Sequence, residues 1–175
     1  MENLITTAAG ILLVLLLGCV GCVKKPNNIQ PVTNFDVNQY VGKWYEIARL
    51  DNRFEKGMTH VYAEYSLQPN GSLKVVNSGF KPEKEQRVEA KGVAKFVNNP
   101  DVGYLKVSFF RPFYGAYVVF RLDPDYQYAY VSSDSTKYLW LLARTPSLPE
   151  TVKQDFIEAA QELGVDPKKI IWTQQ

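Results

Sequence analysis

The sequence predicts an all-β chain, an eight-stranded antiparallel up-and-down barrel with a C-terminal α-helix packed on its wall and a short N-terminal helical turn. Three observations predict it. Eleven Tyr and nine Phe in 175 residues favour strands over helices. From Lys43 onward apolar residues alternate in eight runs, roughly 43–50, 59–67, 72–80, 87–97, 102–110, 116–122, 126–132 and 138–145. Turn residues separate the runs: Pro69-Asn70-Gly71, whose Asn-Gly suits a type I′ turn, then Asn98-Asn99-Pro100-Asp101 and Asp123-Pro124-Asp125.

Length and charge narrow the class. The chain is the size of one domain, and no linker splits it into halves that each hold a core. A net charge of +2, with no basic run longer than Lys24-Lys25 or Lys168-Lys169, argues against nucleic acid as a partner.

Each flanking element has its own signal. Residues 34–41 place Phe35, Val37, Tyr40 and Val41 near helical spacing and stop at Gly42, so a helical turn feeds the first strand. In an up-and-down barrel successive connections alternate between the two ends. Tight turns at Asn70, Asn99 and Pro124 therefore share one pinched end, and the longer loops 51–58, 81–86, 111–115 and 133–137 share an open one. After Pro149, Val152, Phe156, Ile157, Ala160 and Leu163 form the inner stripe of a helix ending at Gly164. Residues 169–173 suit a short ninth strand.

The N-terminus reads as an address. An apolar run from Ile11 to Leu17 is followed by Gly18-Cys19-Val20-Gly21-Cys22, and Leu16-Leu17-Gly18-Cys19 resembles the lipobox of bacterial lipoproteins. Cys19 is the expected lipidation site, with Cys22 as the alternative. The expected layout is a signal peptide over 1–18, a lipidated polar tether over 19–33 and the barrel domain over 34–175. The n-region carries Glu2 and no Lys or Arg, which departs from the usual signal, and an uncleaved anchor over 4–23 is the competing reading. Both cysteines of the sequence lie here, with no second pair that would make a CxxC metal or redox site.

Charged residues set strand parity, since they should face water. Arg49 outward puts Trp44, Glu46, Ala48 and Leu50 inside. Glu64 and Lys74 do the same for Val61, Ala63 and Tyr65 and for Leu73, Val75 and Asn77. Lys91 and Lys95 leave Ala90, Gly92, Ala94 and Phe96 inward, Lys106 leaves Leu105, Val107 and Phe109, and Arg121 leaves Val118 and Phe120. On the last strand Tyr138, Trp140 and Leu142 face in. A bulge reverses any of these locally. The resulting wall is apolar, with Glu46 and Asn77 as orienting hydrogen-bond groups, which is the composition of a lipid cavity. The competing reading is a filled barrel with no cavity. At the open mouth Arg53, Phe54, Arg111, Phe113 and Tyr114 combine rings and cations that suit an acyl chain and its head group.

Catalytic and metal chemistry find little footing. The barrel has no Cys nucleophile, and the sole His60 shares parity with outward Glu64 and has no second His for a metal site or a relay. No cofactor is expected. An enzyme using Glu46 with Tyr65 or Tyr138 as acid and base, and a purely structural envelope protein, are the alternatives to a binding protein.

Several blocks then converge on one family. Gly42-Lys43-Trp44 resembles the lipocalin G-x-W motif, and Arg144 the basic residue of the family's third block. Residues 42–49, Lys106-Val107-Ser108-Phe109-Phe110 with Pro112-Phe113-Tyr114-Gly115, and Tyr138-Leu139-Trp140 with Arg144-Thr145-Pro146 resemble the bacterial outer-membrane lipocalins, apolipoprotein D-like in pattern, over about residues 34–175. In the second block Lys137 precedes Tyr138 where the family has an acidic residue. The resemblance implies that Gly42, Trp44 and Arg144 form the barrel floor. It also implies a lipid-anchored protein of the bacterial outer membrane that binds fatty acids or lysophospholipids, alone or as a homodimer.

Overall fold

The computed structural model describes residues 23–175, so Cys19 and Cys22 lie outside the described residues. Within them the order is α1 (Val37–Tyr40), β1 (Gly42–Leu50), β2 (Thr59–Leu67), β3 (Leu73–Lys81), β4 (Gln86–Phe96), β5 (Tyr104–Phe110), β6 (Phe113–Leu122), β7 (Tyr128–Ser132), β8 (Leu139–Ala143), α2 (Glu150–Glu162) and β9 (Ile170–Trp172). Strands β2 to β8 pair in sequence order, β8 pairs with β1, and a β1–β2 pairing closes the ring. Closure gives each of the eight barrel strands, β1 to β8, a neighbour on both sides.

Two connections differ from expectation. The 68–72 turn is not type I′. Only Gly71 there has positive φ, at 76°, and its N–H donates to the Gln68 carbonyl at 2.9 Å, because Pro69 holds the first central position at negative φ and selects a type I turn followed by a left-handed glycine. The expected long loop 111–115 is a two-residue turn, since Phe113 already pairs with Phe110.

Two of the four register shifts overturn the expected parity. Between Glu46 and Ala48 the β1–β8 register shifts, so Arg49 turns inward and is 2% exposed, whereas Ala48 and Leu50 face outward into the cluster under α2. Between Val119 and Arg121 the β6–β7 register shifts as well. Tyr117 and Val119 therefore face in, while Val118 packs on Ile29 and Phe120 against Tyr130 outside. Leu50, Val118 and Phe120 thus leave the list of cavity residues.

The outer wall is covered at three places. Helix α2 lays Phe156, Ala159 and Ala160 on Tyr130, Leu139, Leu141 and Ala143. It ends in a Schellman motif, with Gly164 at φ 77° and its N–H on the Gln161 carbonyl, and Val165 N–H on the Ala160 carbonyl. Residues 23–33, within the expected polar tether, are packed on β5 and β6: Ile29 is 1% exposed, Val32 exchanges hydrogen bonds with Val119 and Gly103, and Thr33 bridges Val102. The signal for this was the apolar pair Ile29 and Val32 within a polar stretch.

The C-terminus covers the third place. Strand β9 pairs with the upper half of β1, opposite β8. The tail then reaches β2: Thr173 N–H donates to the Ile47 carbonyl and His60 N–H to the Gln174 carbonyl, and the Gln175 side chain donates to the Glu46 and Val61 carbonyls at 2.6 and 2.8 Å. Residues 170–175 thereby fill the seam where β1 and β2 diverge.

Candidate functional site

The barrel interior divides into two levels, and the lower one is solid. The Arg144 guanidinium carbon sits 3.9 Å from the Trp44 ring centroid, and its nitrogens donate to the carbonyls of Gln39, Lys43 and Tyr126. Gly42 at φ 95° lets the chain pass close by, where an added Cβ would lie 3.4 Å from the Arg144 Nη1. Above that pair Trp44 donates to the Tyr40 carbonyl at 2.7 Å, and Tyr40 packs on Phe35 and Tyr65 with centroid separations of 4.9 and 5.6 Å. Phe96 packs edge-on against Phe35. Tyr65 and Phe96, expected to touch ligand, belong to this packed layer.

Three tyrosine hydroxyls cap the lower level. The Tyr65 hydroxyl donates to that of Tyr117 at 2.9 Å, and the Tyr40 hydroxyl meets the same oxygen at 2.7 Å. Burial raises the pKa of all three, so they are neutral at any physiological pH. Tyr117 was missed because parity was read from Arg121, on the far side of the β6 bulge.

The upper level is open. Ala90 and Gly115 are exposed on the inner face, Val107, Asn77, Tyr117 and Trp140 are half-buried, and Phe109 is 45% exposed. Two inward glycines receive neighbouring side chains: a Cβ at Gly92 would meet the Phe109 ring at 2.8 Å, and one at Gly79 the Met58 sulfur at 2.8 Å. Asn77 points inward with a buried Oδ1 that has no hydrogen-bond partner among the described residues. Trp140 is stacked on Tyr138 with centroids 6.0 Å apart, and its indole N–H donates to Glu55 Oε2 at 2.9 Å. Asn52 organises that mouth loop, its Oδ1 accepting from the N–H groups of Phe54 and Glu55 while its Nδ2 donates to Glu55 Oε2. The rim above is apolar: Phe54, Phe110 and Phe113 are 61%, 75% and 70% exposed, and the last two stack.

Three expected ligand contacts are placed elsewhere. The Glu46 carboxylate is 2% exposed and accepts from Arg49 Nη1 and from the Thr173 hydroxyl at 2.6 Å, while Arg49 also donates to the Glu55 and Met58 carbonyls. Burial, with the nearby Glu55 charge, pushes Glu46 up to about 8 against the pull of Arg49. Glu46 thus holds the C-terminal seam together and is closed off from solvent. Tyr114 faces outward, with the Lys106 ammonium 5.3 Å from its ring. Arg111 flanks a shallow groove on the outer wall with Gln68, Asn70, Lys74 and Val93. His60 is exposed, and among the described residues no three His, Cys, Asp or Glu side chains gather as a metal site.

Comparison with known proteins completes the picture. A family model described as a lipocalin-like domain matches residues 35–175. The chain is 50% identical over 163 residues to the outer membrane lipoprotein Blc of Vibrio cholerae, covering 93% of this chain and 94% of that protein. It is 45% identical over 150 residues to the Escherichia coli protein of the same name, covering 86% and 85%, and 35% identical over 150 residues to mouse apolipoprotein D, covering 81% and 78%. Among solved structures, insecticyanin from the tobacco hornworm Manduca sexta superposes with a TM-score of 0.69 at 18% identity over 88% of each chain, a likeness of fold.

Proposed function

Because the chain belongs to the lipocalin-like family, we propose that its barrel binds the acyl chains of fatty acids or lysophospholipids and stores or transfers them in the bacterial envelope, from an outer membrane to which lipid at Cys19, or alternatively Cys22, anchors it. The observation that carries this reading is the two-level interior. A floor sealed by packed, tilted rings gives way to a cup walled by small and apolar side chains and opening through a ring of exposed phenylalanines. Such a cup removes hydrocarbon from water at about 25 cal/mol per Å² and asks for few polar contacts. Asn77, Tyr138 and Trp140 line it, Phe109 covers Gly92 within it, and Phe54 and Phe113 stand at its entrance. Support for the location comes from relatives at 45–50% identity whose names describe outer membrane lipoproteins.

The test is displacement of a fluorescent acyl analogue from purified, delipidated protein by hexadecanoic acid and by a lysophospholipid. Trp140→Ala and Phe109→Asp are expected to weaken uptake about tenfold or more, the scale of one lost buried ring or one charge placed in an apolar wall. Absence of saturable uptake of any acyl lipid would refute the reading, and mass spectrometry of co-purifying lipids would identify the occupant.

A further inference from the structure

The three tyrosines at the base of the cup leave one hydroxyl proton without an acceptor, and its position can be deduced. Three neutral hydroxyls bring three protons, but only two oxygen–oxygen contacts join them. The Tyr65 proton is committed to Tyr117. In the Tyr40–Tyr117 contact either oxygen can donate. Were Tyr117 the donor, the spare proton would lie on Tyr40, which is 1% exposed and has no further hydroxyl contact among the described residues. A buried O–H without an acceptor is costly, so Tyr40 donates and Tyr117 accepts twice. Tyr117 is then left with its own O–H to give.

Tyr117 is also the least covered member of the trio. It is half-buried on the inner face of β6, whereas Tyr40 and Tyr65 are 1% and 5% exposed. Directly above it on the same face, Gly115 offers no side chain, and an added Cβ there would come no nearer than 3.9 Å to its closest neighbour, Ser133. Accepting two hydrogen bonds polarises the Tyr117 hydroxyl and makes it a stronger donor. Two guanidinium groups on the inner side of the barrel are already engaged, Arg144 below Trp44 and Arg49 with Glu46. An anionic oxygen at Tyr117 would therefore be buried among rings without a counter-charge.

We propose that Tyr117 is a donor-only recognition point at the bottom of the cup, and that it selects lipids whose inserted chain carries an uncharged oxygen acceptor, such as the carbonyl of an oxo-acyl chain, over plain hydrocarbon chains. This deepens the lipid-binding reading and rests on it. The burial that keeps all three hydroxyls protonated agrees with the proton count.

The experiment compares hexadecanoic acid with its isomers bearing one oxo group at successive carbons, as competitors of a fluorescent acyl analogue on the delipidated full-length protein. One neutral hydrogen bond at the cup base predicts that at least one isomer binds about threefold to tenfold more tightly than the parent acid. In Tyr117→Phe that ratio falls to one, and the carbonyl stretch of the ¹³C-labelled isomer, lowered on binding to the native protein, returns toward its value in an apolar solvent. Since Tyr117→Phe strands the hydroxyls of Tyr40 and Tyr65, the triple change to Phe at positions 40, 65 and 117 repeats the measurement with no hydroxyl left unpaired. Equal affinity for parent and every isomer in the native protein, or a preference that survives both variants, overturns the proposal while leaving acyl binding intact. Failure of all the acids to displace the analogue overturns the acyl-binding reading together with it.

Discussion

Arg144 stands against the face of Trp44 at 3.9 Å while donating to three backbone carbonyls, those of Gln39, Lys43 and Tyr126. One side chain thereby ties α1, β1 and the β6–β7 turn to the end of β8. A lysine has the charge but neither the planar fork nor the stacking surface. Arg144→Lys is expected to lower unfolding stability by about 1–3 kcal/mol, from the lost stacking and hydrogen bonds, with no change in the slope of the denaturant curve. A loss below about 0.5 kcal/mol by urea titration would show that the floor does not depend on this clasp.

Glu46 supplies a pH dependence whose sign follows from its raised pKa. In the folded protein the carboxyl holds its proton up to about 8, whereas its ordinary value is 4.5. Between those values the folded state binds more protons than the unfolded one, so this group's contribution to stability is greatest below about 4.5 and declines as pH rises toward 8. Glu46→Gln should flatten that decline. Thermal melts of both proteins across pH 5 to 8 test it, and parallel profiles would contradict the shift.

The C-terminal seam should behave as part of the barrel wall. Removing residues 173–175 deletes the hydrogen bonds to Ile47, His60, Glu46 and Val61. At about 0.5–1.5 kcal/mol for each of these five net bonds, stability falls by about 2.5–7.5 kcal/mol. Hydrogen exchange should quicken at His60 before it does in β4. Unchanged protection at His60 would mean that the tail is dispensable.

At the rim, Phe110→Asp and Phe113→Asp should leave stability within about 0.5 kcal/mol, because both rings are already largely in water. Acyl uptake should nonetheless slow in a stopped-flow assay, since entry passes these rings. Equal uptake rates would place the entrance elsewhere.

The fold was legible in this chain because a two-residue period survives local irregularity, and Gly42, Trp44 and Arg144 marked the start of the first strand and the end of the eighth. The cup was only partly legible. Charges report parity as long as strands are regular, yet Arg49 is an inward cation hydrogen-bonded to Glu46, and the bulge beside it reversed Leu50. A second bulge hid Tyr117 and promoted Val118 and Phe120. Small residues were the sounder guide: Ala90 and Gly92 predicted open volume on β4, and the structure keeps Ala90 exposed while Phe109 covers Gly92. Nothing in the local sequence foretold that Thr173 and Gln175 would meet Glu46, a contact made across more than 120 positions of chain.

The docked segment 23–33 changes how the protein would sit on a membrane. Were those residues free, the barrel would wander on a coil whose reach grows with the square root of its length. With Val23 already accepting from the Tyr104 hydroxyl, three residues lie between it and Cys19 and none between it and Cys22, a span of at most about 14 Å or 4 Å. Lipid on either cysteine would act as a bracket in place of a leash. The angle between the barrel axis and the bilayer would then be a property of the β5–β6 surface, and lengthening the chain ahead of Val23 would alter how often the mouth meets lipid without touching any residue inside the cup.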